Sequence, residues 1–266
     1  MIEKQILVKR LTINYKIFGS KGKPFLILHG WGSKSDRWVQ VGELLSKKGL
    51  VVVVPDLPGF GKSETLKEPW NVDDYVEWVN EFSNTLPELK EEFYLLGHSF
   101  GGTVSIKFSI KYAQKVKKLF LFGAAAIRKK TIKKQVLGTV SKFVKVFSFL
   151  PFYSLAKRAF YKFVVGPTDY LRVDGVMKQT FLQVISHDLS QYLSFVKVPT
   201  VIIWGRKDDT TLVEDAYFMN KKIDGSKLEI VEEGDHDMEQ VMAEALVERV
   251  LNNLSIGVFE SSDINL

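Results

Sequence analysis

Residues 95–102 read Leu95, Leu96, Gly97, His98, Ser99, Phe100, Gly101, Gly102, a serine set between two glycines. The serine follows an apolar run and precedes a stretch of helical periodicity. Small residues two before and two after it let a strand and a helix meet in one tight turn, and a hydroxyl on that turn projects beyond the strand end. A glycine-rich strand-to-helix turn with no chemistry reads the same at these eight positions. The partners of the serine decide between the two readings.

A serine hydroxyl at neutral pH needs a base to take its proton and a third group to orient that base. Both lie downstream. Trp204, Gly205, Arg206, Lys207, Asp208 places a carboxylate just past another apolar run, and Gly234, Asp235, His236 places a histidine before the last helical segment. Functional groups on parallel sheets gather at such strand ends. The reading is Ser99 as nucleophile, His236 as general base and Asp208 as orienting acid, with the neighbouring Asp209 and Asp235 as competing carboxylates. An oxyanion needs two fixed donors. Leu28, His29, Gly30, Trp31, Gly32 follows an apolar run, so the backbone amide of Trp31 is paired with that of Phe100, and His29 and His98 are structural.

Around these motifs the chain alternates between buried strands and helices. Residues 5–9 and 12–18 alternate apolar and polar, as half-solvated strands of an edge hairpin do. Residues 25–28, 50–54, 93–96, 119–122 and 200–204 are continuous apolar runs, the mark of strands covered on both faces, and 227–231 closes the series. Helices are expected at 36–48, 72–86, 103–112, 213–220 and 238–251. The result is an α/β fold with a mostly parallel sheet flanked by helices. Between residues 124 and 195 the rhythm breaks into helical segments with no buried strand, an insertion into the core of 1–123 and 196–254. Residues 255–266 form a tail.

The composition allows this and excludes other chemistry. The 266 residues hold no cysteine, which removes disulfides, thiolate metal sites and cysteine nucleophiles. No cluster of histidines and carboxylates has metal-ligand spacing. The net charge of +6 comes from 37 Lys and Arg against 31 Asp and Glu, and residues 128–145 hold seven basic residues and no acidic one. A solvated helix face accounts for that run, with contact to an anionic membrane surface as its other use. No nucleic-acid module accompanies it. The N-terminal residues lack a signal-peptide pattern and no apolar run approaches the roughly 18 residues of a membrane span, so a cytoplasmic protein is expected.

Taken together, His29 to Gly32, Asp56-Leu57-Pro58-Gly59-Phe60-Gly61-Lys62-Ser63, Gly97 to Gly102, Gly205 to Asp208 and Gly234 to His236 resemble the α/β-hydrolase superfamily, specifically its compact bacterial serine hydrolases with a helical cap. The resemblance covers nearly the whole chain. It implies an eight-stranded sheet, residues 124–195 as the cap, and hydrolysis without a cofactor. One departure matters: members often carry a Val-Pro pair shortly after the acid, whereas Thr210, Thr211, Leu212, Val213, Glu214 follow here, which keeps Asp209 open beside Asp208.

A serine nucleophile points to acyl chemistry through an acyl-enzyme, with cleavage of a carboxylic ester or related bond expected. The substrate is a small acyl compound with an apolar portion. Phe143, Phe147, Phe149, Phe152, Tyr153, Phe160, Tyr161 and Phe163 in the insertion either line its pocket or pack the cap. Two alternatives share the triad or the fold. A carbon–carbon bond hydrolase of the meta-cleavage type needs a cationic anchor, for which Arg128, Arg158 and Arg172 are candidates. A non-catalytic ligand-binding protein needs only the pocket.

Overall fold

In the computed structural model, which describes residues 1–128 and 175–254, eight strands form one sheet. They are β1 (Ile2–Val8), β2 (Leu11–Phe18), β3 (Lys23–Leu28), β4 (Leu50–Pro55), β5 (Phe93–His98), β6 (Val116–Phe122), β7 (Thr200–Gly205) and β8 (Lys227–Val231), in the spatial order β1-β2-β4-β3-β5-β6-β7-β8. The β1–β2 and β2–β4 pairs are antiparallel and all other pairs parallel. The mostly parallel eight-stranded sheet is therefore the observed architecture.

The apolar runs are continuous because each strand feeds two cores. Side chains alternate across a strand. Leu26, Leu28, Val53, Leu119 and Leu121 enter one core, whereas Phe25, Ile27, Val52, Phe120 and Phe122 enter the other. Helices α2 (Val72–Thr85), α3 (Phe100–Lys111) and α5 (Val213–Lys222) contribute to the first; α1 (Val39–Ser46) and α7 (Ala243–Leu251) contribute to the second. Burying each such side chain stabilises the fold by about 1.5–3 kcal/mol. Helix α2 begins on a capping box between Asn71 and Asp74 and stops at Leu86, whose extended backbone suits the proline that follows.

Three elements differ from the sequence reading. Residues 12–18 alternate, yet β2 is buried at every position but one. Its polar residues are covered because they are paired: Lys16 Nζ lies 2.6 Å from Asp36 Oδ1 and 2.9 Å from Glu3 Oε1, and Asn14 Nδ2 donates to Asp56 Oδ2. β1 takes the exposed edge instead. The expected helix over 36–48 divides into a short 3-10 turn, Ser35–Trp38, and α1. The expected helix over 238–251 is broken at Met242, whose ψ of 42° leaves the helical region, into α6 (Met238–Val241) and α7.

Of the expected insertion, the described part holds α4 (Gly175–Ser186) and a 3-10 turn at Leu193–Phe195. Met177, Thr180 and Val184 of α4 are buried, and Thr180 Oγ1 accepts from the Trp70 amide, so the helix packs on the loops that end β4 and lead into α2. The aromatic cluster from Phe143 to Phe163, Arg158, Arg172, nearly all of the basic run and the tail 255–266 lie outside the described residues. Among the described residues no helix is long and apolar enough to cross a membrane.

Candidate active site

Ser99 sits between the end of β5 and the first turn of α3 with φ 51° and ψ −114°. Such a conformation is strained for any residue with a Cβ. The flanking glycines permit it. A Cβ on Gly97 would overlap Ser105 Oγ and the carbonyl of Gly101, and one on Gly101 would overlap the carbonyl of Leu28. The Ser99 amide donates to the carbonyl of Phe122 at 3.1 Å, and the Ser99 carbonyl accepts from Ala125 at 3.0 Å. Two bonds to the end of β6 thus fix the turn, and Ser99 itself stays half-buried.

Asp208 and His236, the expected acid and base, meet beside that turn. His236 Nδ1 lies 2.7 Å from Asp208 Oδ2. With a carboxylate as partner, Nδ1 carries the proton and Nε2 is left bare to accept one. A Cβ on Gly123, the residue after β6, would stand 3.2 Å from both Asp208 Oδ2 and His236 Nδ1, which places the pair against the strand end that anchors Ser99. Asp208 is buried and Asp209 exposed. Asp235 is also exposed and caps its own loop, accepting from the Asp237 amide.

The loop after Asp208 uses backbone amides where a Val-Pro pair is often found. Asp208 Oδ1 accepts from the amides of Thr210 and Thr211 at 2.9 and 2.8 Å, and Thr211 Oγ1 lies 2.8 Å from Oδ2. A proline at either threonine would lack the donor. The loop is tied to the sheet by Trp204 Nε1, which donates to the Thr211 carbonyl. Sequence reading assigns Thr211 no role, although Asp208 accepting from the amide two residues on is an Asx turn.

On the opposite side, Gly30 follows β3, and a Cβ there would stand 3.2 Å from Ser99 Cβ. This brings the segment that carries Trp31 against the serine. The amide of Phe100 belongs to the first turn of α3, where amides have no intrahelical acceptor. His29 Nε2 accepts from the Leu57 amide, so its Nδ1 donates to the Gly30 carbonyl at 2.8 Å, and burial lowers its pKa to about 4. It is a neutral strut under the Trp31 segment.

An aromatic wall adjoins the serine. The Trp31 ring lies 4.9 Å from Phe60, 5.5 Å from Phe100 and 5.0 Å from Phe181 of α4, and Tyr75 packs on Phe100. Phe60 and Phe181 were not singled out by sequence, because they become neighbours only when α4 folds over the strand ends. Arg128 is half-buried, in the field of the charges of Asp188 and Asp215. Among the described residues no three histidines or carboxylates form a metal-binding group.

Comparisons with known proteins agree with this architecture. Residues 23–162 match the family model described as the alpha/beta hydrolase fold. A monoacylglycerol lipase of Homo sapiens is 26% identical over 254 residues, covering 84% of this chain and 73% of the relative. Lipase 1 of Psychrobacter immobilis is 26% identical over 252 residues, covering 87% of this chain and 75% of the relative. The crystal structure of an esterase from Exiguobacterium antarcticum superposes with a TM-score of 0.73 at 24% identity, covering 94% of this chain and 98% of that one. A meta-cleavage product hydrolase from Pseudomonas fluorescens superposes with a TM-score of 0.68 at 21% identity, covering 94% and 97%. With its family match spanning more than half its length and its sheet order, this chain belongs to the α/β-hydrolase family.

Proposed function

We propose that this protein is a serine hydrolase that cleaves carboxylic esters of an apolar acyl group through an acyl-enzyme. The observation that carries the reading is the 2.7 Å contact from His236 Nδ1 to Asp208 Oδ2 beside the strained Ser99 turn. In the mechanism, Ser99 Oγ attacks the ester carbonyl carbon as its proton passes to His236 Nε2. The carbonyl oxygen becomes an oxyanion, held by the amides of Trp31 and Phe100. Collapse expels the alcohol, which takes the proton from His236. Water then attacks the acyl-enzyme by the same steps, releasing the acid and restoring Ser99. Asp208 keeps its charge throughout and stabilises the imidazolium. Each oxyanion donor is worth on the order of 100 to 1,000-fold in rate.

The wall of Trp31, Phe60, Phe100 and Phe181 supports an apolar acyl portion, and the relatives include two lipases, one of them a monoacylglycerol lipase. A monoester of glycerol is accordingly the substrate class we favour. The carbon–carbon reading needs a cation for the substrate carboxylate; Arg128 lies in the field of Asp188 and Asp215, and the other candidates, Arg158 and Arg172, lie outside the described residues. Turnover of monoacylglycerols and p-nitrophenyl esters, compared with a dienone acid, tests the choice. Greater activity on the dienone acid would reverse it.

A further inference from the structure

The segment that carries His236 is a surface loop. Glu232, Glu233, Asp235 and Asp237 are exposed, and Asp208 grips only the ring of the histidine, at Nδ1. A base on such a loop keeps its free nitrogen in place only if its backbone is also held. Two residues outside the triad reach that segment, His98 at the His236 carbonyl and Arg37 at the side chains of Asp237 and Glu239. We propose that His98 and Arg37 are positioning residues that fix the His236 loop for proton transfer, an inference that rests on His236 being the base.

His98 directly precedes Ser99, and its Nε2 lies 3.0 Å from the carbonyl of His236. A carbonyl only accepts, so Nε2 carries the hydrogen and Nδ1 is bare. Nδ1 is buried without a partner. An apolar ring would fill this place, stacked 4.5 Å from Phe122 and 5.7 Å from Trp38, without leaving an unsatisfied nitrogen. The one bond that an imidazole adds here goes to the base. The two imidazole rings lie 4.7 Å apart, and burial holds the pKa of His98 well below its ordinary value. His98 therefore stays neutral when His236 takes the serine proton, and no second charge opposes the imidazolium.

Arg37 lies in the Ser35–Trp38 turn, which leads on from the Trp31 segment. Its guanidinium forks onto two carboxylates that follow the histidine in sequence. Nη2 donates to Asp237 Oδ1 at 2.6 Å, next to the histidine, and Nε donates to Glu239 Oε1 at 2.9 Å. The Glu239 side chain is 0% exposed, its other oxygen is buried without a partner, and burial raises its pKa. A carboxylate so placed is costly, and what it secures is the rigid fork. His98 ties the base to the nucleophile, and Arg37 ties it to the oxyanion segment.

The test measures kcat and KM on a p-nitrophenyl ester, the rate of labelling by a fluorophosphonate probe, and Tm, in the full chain and in His98→Phe, His98→Gln, Arg37→Met, Arg37→Lys and His236→Ala. His98→Phe and Arg37→Met should lower kcat and labelling about tenfold with KM within about twofold, since misplacing a catalytic group acts on the transition state. His98→Gln and Arg37→Lys, which keep a donor, should recover part of that loss. Arg37 is on the partly exposed side, so Arg37→Met carries the test where His98→Phe does not fold. Native rates in folded His98→Phe and Arg37→Met, while His236→Ala is inactive, would overturn the positioning role alone. A loss confined to KM would overturn it too. Native protein that the probe does not label would remove His236 as base and the inference with it.

Discussion

Thr211 Oγ1 stands 2.8 Å from Asp208 Oδ2, the same oxygen that faces His236 Nδ1. The hydroxyl and the imidazole thus share one carboxylate oxygen, while the other oxygen is held by two backbone amides. Thr211→Val keeps the shape and the amide but removes the hydroxyl. A hydrogen bond to a charged group contributes about 1.5–3 kcal/mol. Expressed partly in the transition state, its loss should lower kcat about tenfold with little change in KM. Steady-state kinetics on a simple ester check this, and an unchanged kcat would show that the amides alone hold the acid.

The two adjacent aspartates separate cleanly by burial. Asp208→Asn should lower kcat by about 10,000-fold, because an amide oxygen cannot stabilise the imidazolium and the tautomer of His236 is no longer fixed. Asp209→Asn removes an exposed carboxylate whose described contact is with its neighbour Thr210 at 3.4 Å, and kcat should stay within about twofold. The reverse ranking would move the orienting role to Asp209.

Much of the fold and of the candidate site is legible in the sequence. The parallel strands announce themselves as unbroken apolar runs because both faces of the sheet are covered, and the serine turn announces itself by glycines that no larger residue can replace. β2 departs from its pattern because Asn14 and Lys16 alternate with apolar residues as though they faced water, whereas a hydrogen bond to Asp56 covers Asn14 and ion pairs to Glu3 and Asp36 cover Lys16. Sequence cannot show that compensation. His98 and Arg37 were invisible as partners of the histidine loop for another reason: their contacts join positions 138 and 200 or more residues apart. The aromatic wall needed the fold as well, since Phe60 and Phe181 meet at Trp31 from separate segments.

The Ser99 backbone is strained at its positive φ. A non-glycine residue held in such a positive-φ conformation costs of order 1–3 kcal/mol. Ser99→Gly relieves that cost, offset by the greater unfolded-state freedom of glycine, roughly 0.5–1 kcal/mol. The variant should be inactive yet more stable than the native protein by about 1 kcal/mol in urea unfolding, and Ser99→Ala should show no such gain. A less stable Ser99→Gly would contradict the strained turn.

Lys16 predicts an acid-dependent stability. Lys16 is the first cause of both shifts that bring Glu3 and Asp36 to about 2, with Lys62 and Asn14 adding to Glu3 and Lys34 to Asp36. Depressed carboxyls stabilise the folded state above their unfolded pKa values and lose that contribution as pH falls toward the folded values. The native protein should therefore lose more stability than Lys16→Met between about pH 4.5 and 2. The gap in Tm between the two should be widest near neutrality and narrow in acid. A gap independent of pH would assign Lys16 to packing alone.

The central claim is that Ser99 is an activated nucleophile, and covalent labelling with a fluorophosphonate probe tests it without knowledge of the substrate. Rapid, stoichiometric labelling of the native chain is expected, disappearing in Ser99→Ala and falling by orders of magnitude in His236→Ala. Folded native protein that the probe leaves unlabelled, or labelling that persists in Ser99→Ala, would contradict it.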